Sequence, residues 1–253
     1  MNIRKTAVVI AIGFTAIFAG TFSISVAATS KHPSTAKVSH FIPDTGVLNA
    51  DDLVAIAKLA STASADKFSD DPTVKYIGRN FTTTLSAAEL STDYDKATHN
   101  LTVETPTFTD GFTLDRKTTE SRYVGRNGFG ASAVIVQTRG NIYGIENPGN
   151  SFSRKPISFV TTLDGAEAQN LSKALRLRIS GTVNKASGVY AINGSVISEH
   201  DIITDATVSE PEDIWIKQYF IAVSFTKAEW IDTRTGAVVK TEDFAPDSQT
   251  VAP

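Results

Sequence analysis

The sequence predicts an α+β fold, built on a mainly antiparallel sheet with a few short helices. Short runs rich in Val, Ile, Thr and aromatic residues recur along most of the chain, which is typical of strands. No long helical run separates these strands at βαβ spacing, which argues against a doubly wound parallel sheet. The 253 residues are 41% apolar and 20% charged, which is typical of a globular protein with a sizeable core.

The N-terminal segment predicts export. Arg4 and Lys5 precede the apolar run Ala7–Phe18, and small residues at Ser25–Ala28 suit signal-peptidase cleavage near Ala27 or Ala28. We expect residues 1–28 to be a signal peptide of a bacterial protein that is periplasmic or secreted. The alternative is an uncleaved anchor, in which case this segment is the expected membrane contact. The chain has no cysteine, so its fold is stabilised without disulfides.

Composition divides the remainder into three regions. Residues 29–48 are polar with two prolines and predict a flexible linker. Residues 49–245 predict a globular α+β body, either one domain or two related halves at about 67–150 and 151–245. Residues 246–253 predict a disordered tail.

The body is expected to begin with an amphipathic helix over Ala50–Ser64. Asn49 is a suitable N-cap, and Asp51 and Asp52 fall in the first turn, where the helix dipole favours negative charge. Its apolar positions recur at helical spacing and are rich in alanine, which suits close packing on a sheet.

Strand signals dominate the following hundred residues or so. Val74–Arg79 and Phe81–Leu85 are candidate strands, and Ser86–Glu89 matches a capping box that predicts a short helix. Leu101–Glu104 and Phe112–Val124 predict further strands. The last of these is mostly polar, which favours an exposed strand.

A possible internal duplication links the two halves. Phe159–Glu167 matches Phe81–Glu89 at six of nine positions, and both copies place a cap residue, Ser86 or Asp164, three positions before a glutamate. Each copy is expected to pass from a strand through a short helix to another strand. Duplication of a strand–helix–strand unit and convergent capping both remain open.

The second half predicts more strands and turns. Leu175–Ser180 alternates strictly between apolar and polar residues, as a strand with one buried face does. Val189–Ile197 predicts a hairpin and Asp201–Glu212 an acidic loop. Trp215–Trp230 predicts the most hydrophobic strand, which Thr233–Gly236 turns back.

Two similar segments are the candidate binding residues. The pattern Tyr-x-Gly-Arg-Asn occurs twice, and arginine with tyrosine suits a small anionic ligand or a protein partner. The alternative is that both mark strand ends with solvated arginines. The spacing between these segments differs from that of the possible duplication, so the two repeats are separate observations. The candidate residues are Tyr76, Arg79, Asn80, Tyr123, Arg126 and Asn127.

Other candidate sites are weaker. Gly125–Gly130 has the reverse spacing of a dinucleotide loop and predicts a tight corner. His200 lies between Glu199 and Asp201, but neither a metal-binding nor a catalytic motif surrounds it. The sequence therefore assigns no cofactor, metal site or catalytic residue. Among aromatic residues, Trp215 and Trp230 with Tyr219, Phe220 and Phe225 suit either a sugar-stacking face or, more commonly, a core.

These observations favour a non-enzymatic binding protein or an envelope-associated protein. One alternative is an exported hydrolase with a site at the Gly125–Gly130 corner or at Glu199–Asp201. Another is a structural or assembly protein that pairs through an edge strand. The net charge of −3 argues against a nucleic-acid partner.

Overall fold

The computed structural model describes residues 42–63, 70–85, 87–105, 111–126, 129–147, 156–192, 194–207 and 209–244. The predicted signal peptide, the predicted linker as far as residue 41, and the predicted tail lie outside these ranges. Residues 38–253 form one compact unit. Among the described residues, no helix has both the length and the apolar character needed to cross a membrane.

Within the described ranges the chain is rich in strand, as an α+β fold requires. The helices are α1 (Ala50–Ala63) and α2 (Gly165–Ala174). The strands are β1 (Asn80–Thr84), β2 (Ser91–Asp95), β3 (Asn100–Glu104), β4 (Phe112–Arg126), β5 (Ser132–Glu146), β6 (Ser158–Thr162), β7 (Leu175–Val183), β8 (Ile197–Thr204), β9 (Glu212–Asp232) and β10 (Ala237–Asp243).

The long strand β9 organises the larger, seven-stranded sheet. Strands β5 and β8 flank its first half, and β7 and β10 flank its second half. Outside them, β4 pairs with β5 and β1 pairs with β7. Strands β5 and β9 are parallel, so this sheet is mixed; every other described strand pair has the predicted antiparallel direction. The smaller sheet has the order β2-β3-β6.

The core lies on one side of β9 and confirms the predicted apolar face. Tyr219, Ile221, Val223 and Phe225 all belong to the main buried cluster. A bulge follows Phe225, because Ser180 of β7 lies opposite Lys227 whereas Gly181 lies opposite Phe225. The extra residue reverses the alternation, so that Ala228 and Trp230 also enter the main core.

Helix α1 forms as predicted and packs against this core. Asn49 Oδ1 accepts from the Asp52 amide at 3.0 Å, and Asp52 Oδ2 accepts from the Asn49 amide at 2.8 Å, so the two side chains cap the helix reciprocally. Its buried residues include Leu53, Ile56 and the two alanines Ala57 and Ala60. The observed helix begins at the predicted residue, and Ser64, the last residue of the predicted helix, lies outside the described residues.

The two copies of the possible repeat pair reciprocally. Phe81 of β1 lies opposite Gly181 of β7, and Phe159 of β6 lies opposite Val103 of β3. Phe159 is 78 residues after Phe81, and Val103 is 78 residues before Gly181. The two strand pairs therefore have the same register once the repeat offset of 78 is applied. The adjoining hydrogen bonds follow the same rule: Leu85 N donates to Leu177 O and Leu163 N donates to His99 O, both at 2.9 Å.

Two local predictions in and just before the first copy are wrong. Val74–Arg79 is not a strand: Val74–Tyr76 is a single 3-10 turn. Asp71 Oδ1 accepts from the backbone and hydroxyl of Thr73, and this local capping competes with extended structure.

The predicted short helix after β1 is reduced to another 3-10 turn, Ala87–Glu89. Glu89 Oε2 accepts from the amide of Thr113, 3.3 Å away on β4. Ser86, the other member of the predicted capping box, lies outside the described residues. In the second copy, Asp164 Oδ1 does accept from the Glu167 amide at 2.8 Å, and α2 forms.

The predicted acidic loop Asp201–Glu212 is also wrong. Its first four residues complete β8, and its last begins β9. Ile202 lies opposite Ile216, and Ile203 opposite Trp215. These apolar cross-strand pairs outweigh the acidic composition that suggested a loop.

Candidate functional site

The first set of predicted binding residues is engaged within the fold. Tyr76 is buried in its 3-10 turn, and Asn80 Oδ1 accepts from Thr182 on β7 at 3.2 Å. The Arg79 guanidinium is committed to the backbone near the start of the body. It donates to the carbonyl oxygens of Pro43 (3.3 Å), Asp44 (2.9 Å) and Gly46 (2.7 Å).

The second set lies elsewhere in the sheet. Tyr123 and Arg126 are on β4, which is separated from β1 by β5, β9 and β7 in the strand order. The two Tyr-x-Gly-Arg-Asn segments are therefore not neighbours. Asn127 lies outside the described residues. Binding by any of the six residues stays a prediction.

Four strands form a surface that extends away from the core. We call β8, the Glu212–Ala222 part of β9, β5 and β4 the projecting sheet. Its front face is the side on which α1 packs at one end: Lys58 Nζ of α1 lies 2.7 Å from Asp115 of β4 and 5.1 Å from the ring centre of Tyr143 on β5. Beyond α1, the front face is exposed to solvent.

The most prominent front-face residue is Trp215. Its side chain is 51% exposed, and the Arg139 guanidinium lies 5.2 Å from the centre of its ring. Arg139 is opposite Trp215 in the parallel register, so the two strands fix this contact. Ile203 of β8 flanks Trp215 on the other side. The result is a partly immobilised indole ring beside a cation.

A polar network continues this row toward β4. Gln137 Nε2 donates to Asp213 Oδ2 at 2.6 Å, and the Tyr123 hydroxyl donates to the same oxygen at 3.4 Å. These groups come from three adjacent strands. Gln137 lies opposite Asp213, and Tyr123 is two positions from the residue opposite Gln137, so all three side chains lie on the same face. Of the predicted binding residues that the structure describes, Tyr123 is thus the one that is linked to the surroundings of Trp215.

The end of the front face nearest the core is more rigid. Tyr143 and Tyr219 stack with ring centres 5.7 Å apart, and burial raises the pKa of Tyr219. Lys217 donates to Glu199 of β8, and this hydrogen bond raises the pKa of Lys217. The neighbouring strands are therefore tied together by a stacked pair and an ion pair.

The back face of the projecting sheet carries a histidine cluster. Ser198 Oγ donates to Glu146 Oε1, and His200 Nε2 lies 3.2 Å from both Ser198 Oγ and Glu146 Oε2. The His200 ring also contacts Tyr190, with ring centres 4.4 Å apart, and Phe220. Ser198 is only 1% exposed.

The geometry of this cluster differs from that of a Ser–His–carboxylate triad. In a triad the carboxylate and the serine occupy opposite ring nitrogens of the histidine. Here both contact the same nitrogen, and the serine proton already goes to the carboxylate. The arrangement suits a buried polar network that fastens β5 to β8 across β9. Among the described residues, no group of three His, Asp or Glu side chains is placed to hold a metal ion.

Sequence reasoning found some of these residues and missed others. Of the five aromatic residues considered for a sugar-stacking face, Trp215 is exposed and the other four are buried. Arg139, Asp213 and Glu146 gave no local signal, because their partners are tens of residues away in the chain. Alternation along β5 and β9 could have predicted the face of the strand on which Arg139 and Trp215 each lie. It could not have predicted that the two residues lie opposite each other.

No protein-family model, no curated protein and no solved structure matches this chain.

Proposed function

We propose that this is an exported, non-enzymatic binding protein of the bacterial envelope, and that the front face of its projecting sheet binds an extended glycan. The observation that carries the proposal is the half-exposed Trp215 ring held against Arg139. Although Trp215 pairs with Arg139 and Ile203 of the neighbouring strands, about half of its side chain stays exposed, and tryptophan, tyrosine and arginine are enriched where binding energy is concentrated.

Sugar rings have the complementary chemistry. Their C–H faces pack on aromatic rings, and their hydroxyl groups exchange hydrogen bonds with amides and carboxylates. Trp215 offers the ring, while Gln137 and Asp213 offer the polar groups. Because the Arg139 contact and the Gln137–Asp213 hydrogen bond already restrain these side chains, less conformational entropy is lost on binding.

Charge on the front face favours a glycan over nucleic acid. Arg139 and Lys117 are exposed there, but Asp201 and Asp213 share the same face. A polyphosphate would be repelled by the acids. A glycan that carries occasional carboxylates could place one against Arg139, and its neutral sugar rings would not be repelled by Asp201 and Asp213. The small anionic ligand expected from the sequence remains compatible with this cation, and the predicted export signal supports an envelope location.

The two tryptophans make the proposal directly testable. The chain contains two, and Trp230 is fully buried, so exposed-tryptophan fluorescence reports on Trp215. We expect chitohexaose and solubilised peptidoglycan fragments to change the emission of the wild type and of Trp230→Phe, but not that of Trp215→Phe. Co-sedimentation with purified peptidoglycan should fall about tenfold or more for Trp215→Ala, as hot-spot truncations do.

One further variant completes this experiment. Arg139→Gln should weaken binding to peptidoglycan more than binding to neutral chitohexaose, because it removes the cation and keeps a polar side chain. Trp215→Ala protein that folds normally and binds both glycans as the wild type does would contradict the proposal.

A hydrolase is the second candidate, because Glu146, Ser198 and His200 meet on the back face. Activity would require Ser198 to become accessible and His200 to accept its proton. Under the binding proposal, p-nitrophenyl acetate is hydrolysed no faster by the wild type than by Ser198→Ala or His200→Ala. Equal and large losses in both variants would favour the hydrolase instead.

We also propose that residues 79–105 and 157–183 descend from one duplicated unit. The reciprocal β1–β7 and β6–β3 pairing with one shared register supports this origin, since convergent capping alone would not impose a common register. Sequences of diverged relatives test it: the similarity between the two segments should be greater in an averaged family sequence than in this chain.

A further inference from the structure

The β4–β5 hairpin extends beyond the rest of the projecting sheet. Strand β5 pairs with β9 only from Val136 onward, whereas it pairs with β4 from Ser132. Residues 123–126 and 132–135 therefore form a two-stranded end among the described strands. We call these residues, with Phe129, the hairpin tip. At about 3.3 Å per residue, its four residue pairs project about 13 Å.

The hairpin tip is apolar on both faces. Val124 and Val134 form a direct cross-strand pair on the back face and are 68% and 58% exposed. Tyr123 is exposed on the front face, and Phe129, in the connection between the strands, is 100% exposed. A protein-docking surface usually presents one apolar face, whereas exposed apolar side chains on both faces of a projection suit insertion into a medium.

The charged residues of the hairpin tip itself are positive, and the nearest acids lie at its base, namely Glu120 on β4 and Asp213 at 3.4 Å from the Tyr123 hydroxyl. Residues 121–145 contain three arginines and no aspartate or glutamate, although the whole chain has a net charge of −3. Arg122 and Arg126 are each two positions from Val124 on the same strand, so they flank it on the back face. Long arginine side chains can remain at an interface while neighbouring apolar groups go deeper.

We propose that the hairpin tip inserts into the surface of an anionic lipid bilayer. Peripheral segments enter the boundary between headgroups and acyl chains by about 5–10 Å, which is within the length of this projection. Tyr123 suits the level of the lipid headgroups. The apolar side chains of Val124, Val134 and Phe129 suit the acyl boundary. Arg122 and Arg126 suit contact with the lipid phosphates. The hairpin tip lies beyond Trp215 in register, and the two proposed surfaces meet at the hydrogen bond between Tyr123 and Asp213.

The chain has no cysteine, so one introduced cysteine carries a unique probe. An environment-sensitive fluorophore on Val124→Cys should shift to the blue with vesicles of phosphatidylglycerol and phosphatidylcholine. The matched control is Val238→Cys on β10, where an exposed valine should show no shift. Both variants are made in the same full-length chain, so any contribution of residues 1–41 to binding is common to them. A Val124→Cys probe with no shift overturns the proposal.

Vesicle flotation, which measures how much protein binds to the lipid, separates the contribution of charge from that of apolar contact. Arg122→Gln with Arg126→Gln should weaken binding to anionic vesicles about 25-fold, because each cation near such a surface contributes about fivefold. Val124→Ser with Val134→Ser should weaken it about tenfold or more. Arg116→Gln, lower on the same strand, should have a smaller effect than Arg122→Gln. All five substituted positions are exposed, so folding is not expected to change.

Three outcomes would contradict insertion. Equal binding to pure phosphatidylcholine would exclude charge recognition. Full competition by soluble glycerol phosphate would indicate a free-phosphate site and no bilayer contact. An Arg116→Gln effect equal to that of Arg122→Gln would indicate that β4 lies flat on the surface. Loss of flotation in the Trp215→Ala control, which belongs to the glycan proposal, would show that the two surfaces are not separate.

Discussion

Charged side chains in this protein form hydrogen bonds either with residues close in the chain or with residues far away in it. Asp232, which ends β9, is a near case: its carboxylate accepts from both the backbone and the guanidinium of Arg234, the latter at 2.7 Å. These hydrogen bonds hold the pKa of Asp232 below its ordinary value. Arg79 is a far case, because its guanidinium donates to backbone carbonyl oxygens more than thirty residues earlier.

The Asp232–Arg234 pair predicts a particular pH dependence. Since the folded pKa of Asp232 is depressed, the pair stabilises the fold fully above the unfolded pKa of about 3.9, and this stabilisation is lost as pH falls through the folded pKa. Arg234→Gln should therefore lower the free energy of unfolding at neutral pH, and the difference from wild type should close in acid. Urea unfolding at several pH values measures this.

The control for that measurement is Lys75→Gln. Lys75 pairs with Asp44 at 3.4 Å, but both side chains are largely exposed, so the substitution should change stability little at any pH. A stability difference for Arg234→Gln that persisted unchanged into strong acid would contradict the role given to Asp232.

At the scale of elements, strand identity was easier to predict than strand surroundings. Alternation identified β7 and β9, and the mostly polar composition of β4 correctly indicated exposure. β8 was missed because its acidic residues resemble a loop until Ile202 and Ile203 meet β9. Val74–Arg79 was misassigned because β-branched and aromatic residues also occur in capped turns.

Strand β4 bears on the assembly hypothesis. It pairs with β5 along one edge, and its exposed stretch carries Arg116, Lys117, Glu120 and Arg122. Charged side chains are a common device against edge-to-edge association. Replacing these four residues by threonine should therefore produce species that grow with concentration in light scattering, whereas the wild type stays constant in size.

The comparison for this prediction is Glu167→Thr with Lys173→Thr on α2, where charge is removed away from any strand edge. That variant should remain constant in size. A wild type that itself grows with concentration would support assembly through an edge strand and would contradict the protective role of the β4 charges.

At the scale of the whole molecule, the two halves are interdependent. β1 and β3 belong to the first half in sequence, but they pair with β7 and β6 of the second. The parallel β5–β9 pair also joins the halves. Each half therefore lacks strand partners for its own backbone groups, and the unsatisfied groups and exposed core disfavour folding alone.

This interdependence predicts that fragments 38–150 and 151–253 are each unfolded. Mixing them should restore sheet-like circular dichroism and cooperative unfolding, because the missing strand partners return. The intact chain is the reference. Cooperative thermal unfolding of either isolated fragment would contradict the prediction and favour two separate sub-domains.

The sequence by itself determined the features that depend on neighbours in the chain. The Asn49–Asp52 cap, the Asp164–Glu167 cap and the apolar alternation of β9 are local patterns, and local hydrogen bonding or periodicity is sufficient to specify them. Only the tertiary structure decided the parallel β5–β9 pairing, the meeting of Arg139 with Trp215, and the separation of the two Tyr-x-Gly-Arg-Asn segments. Strand order and register depend on packing between distant residues, and a single sequence does not record those contacts.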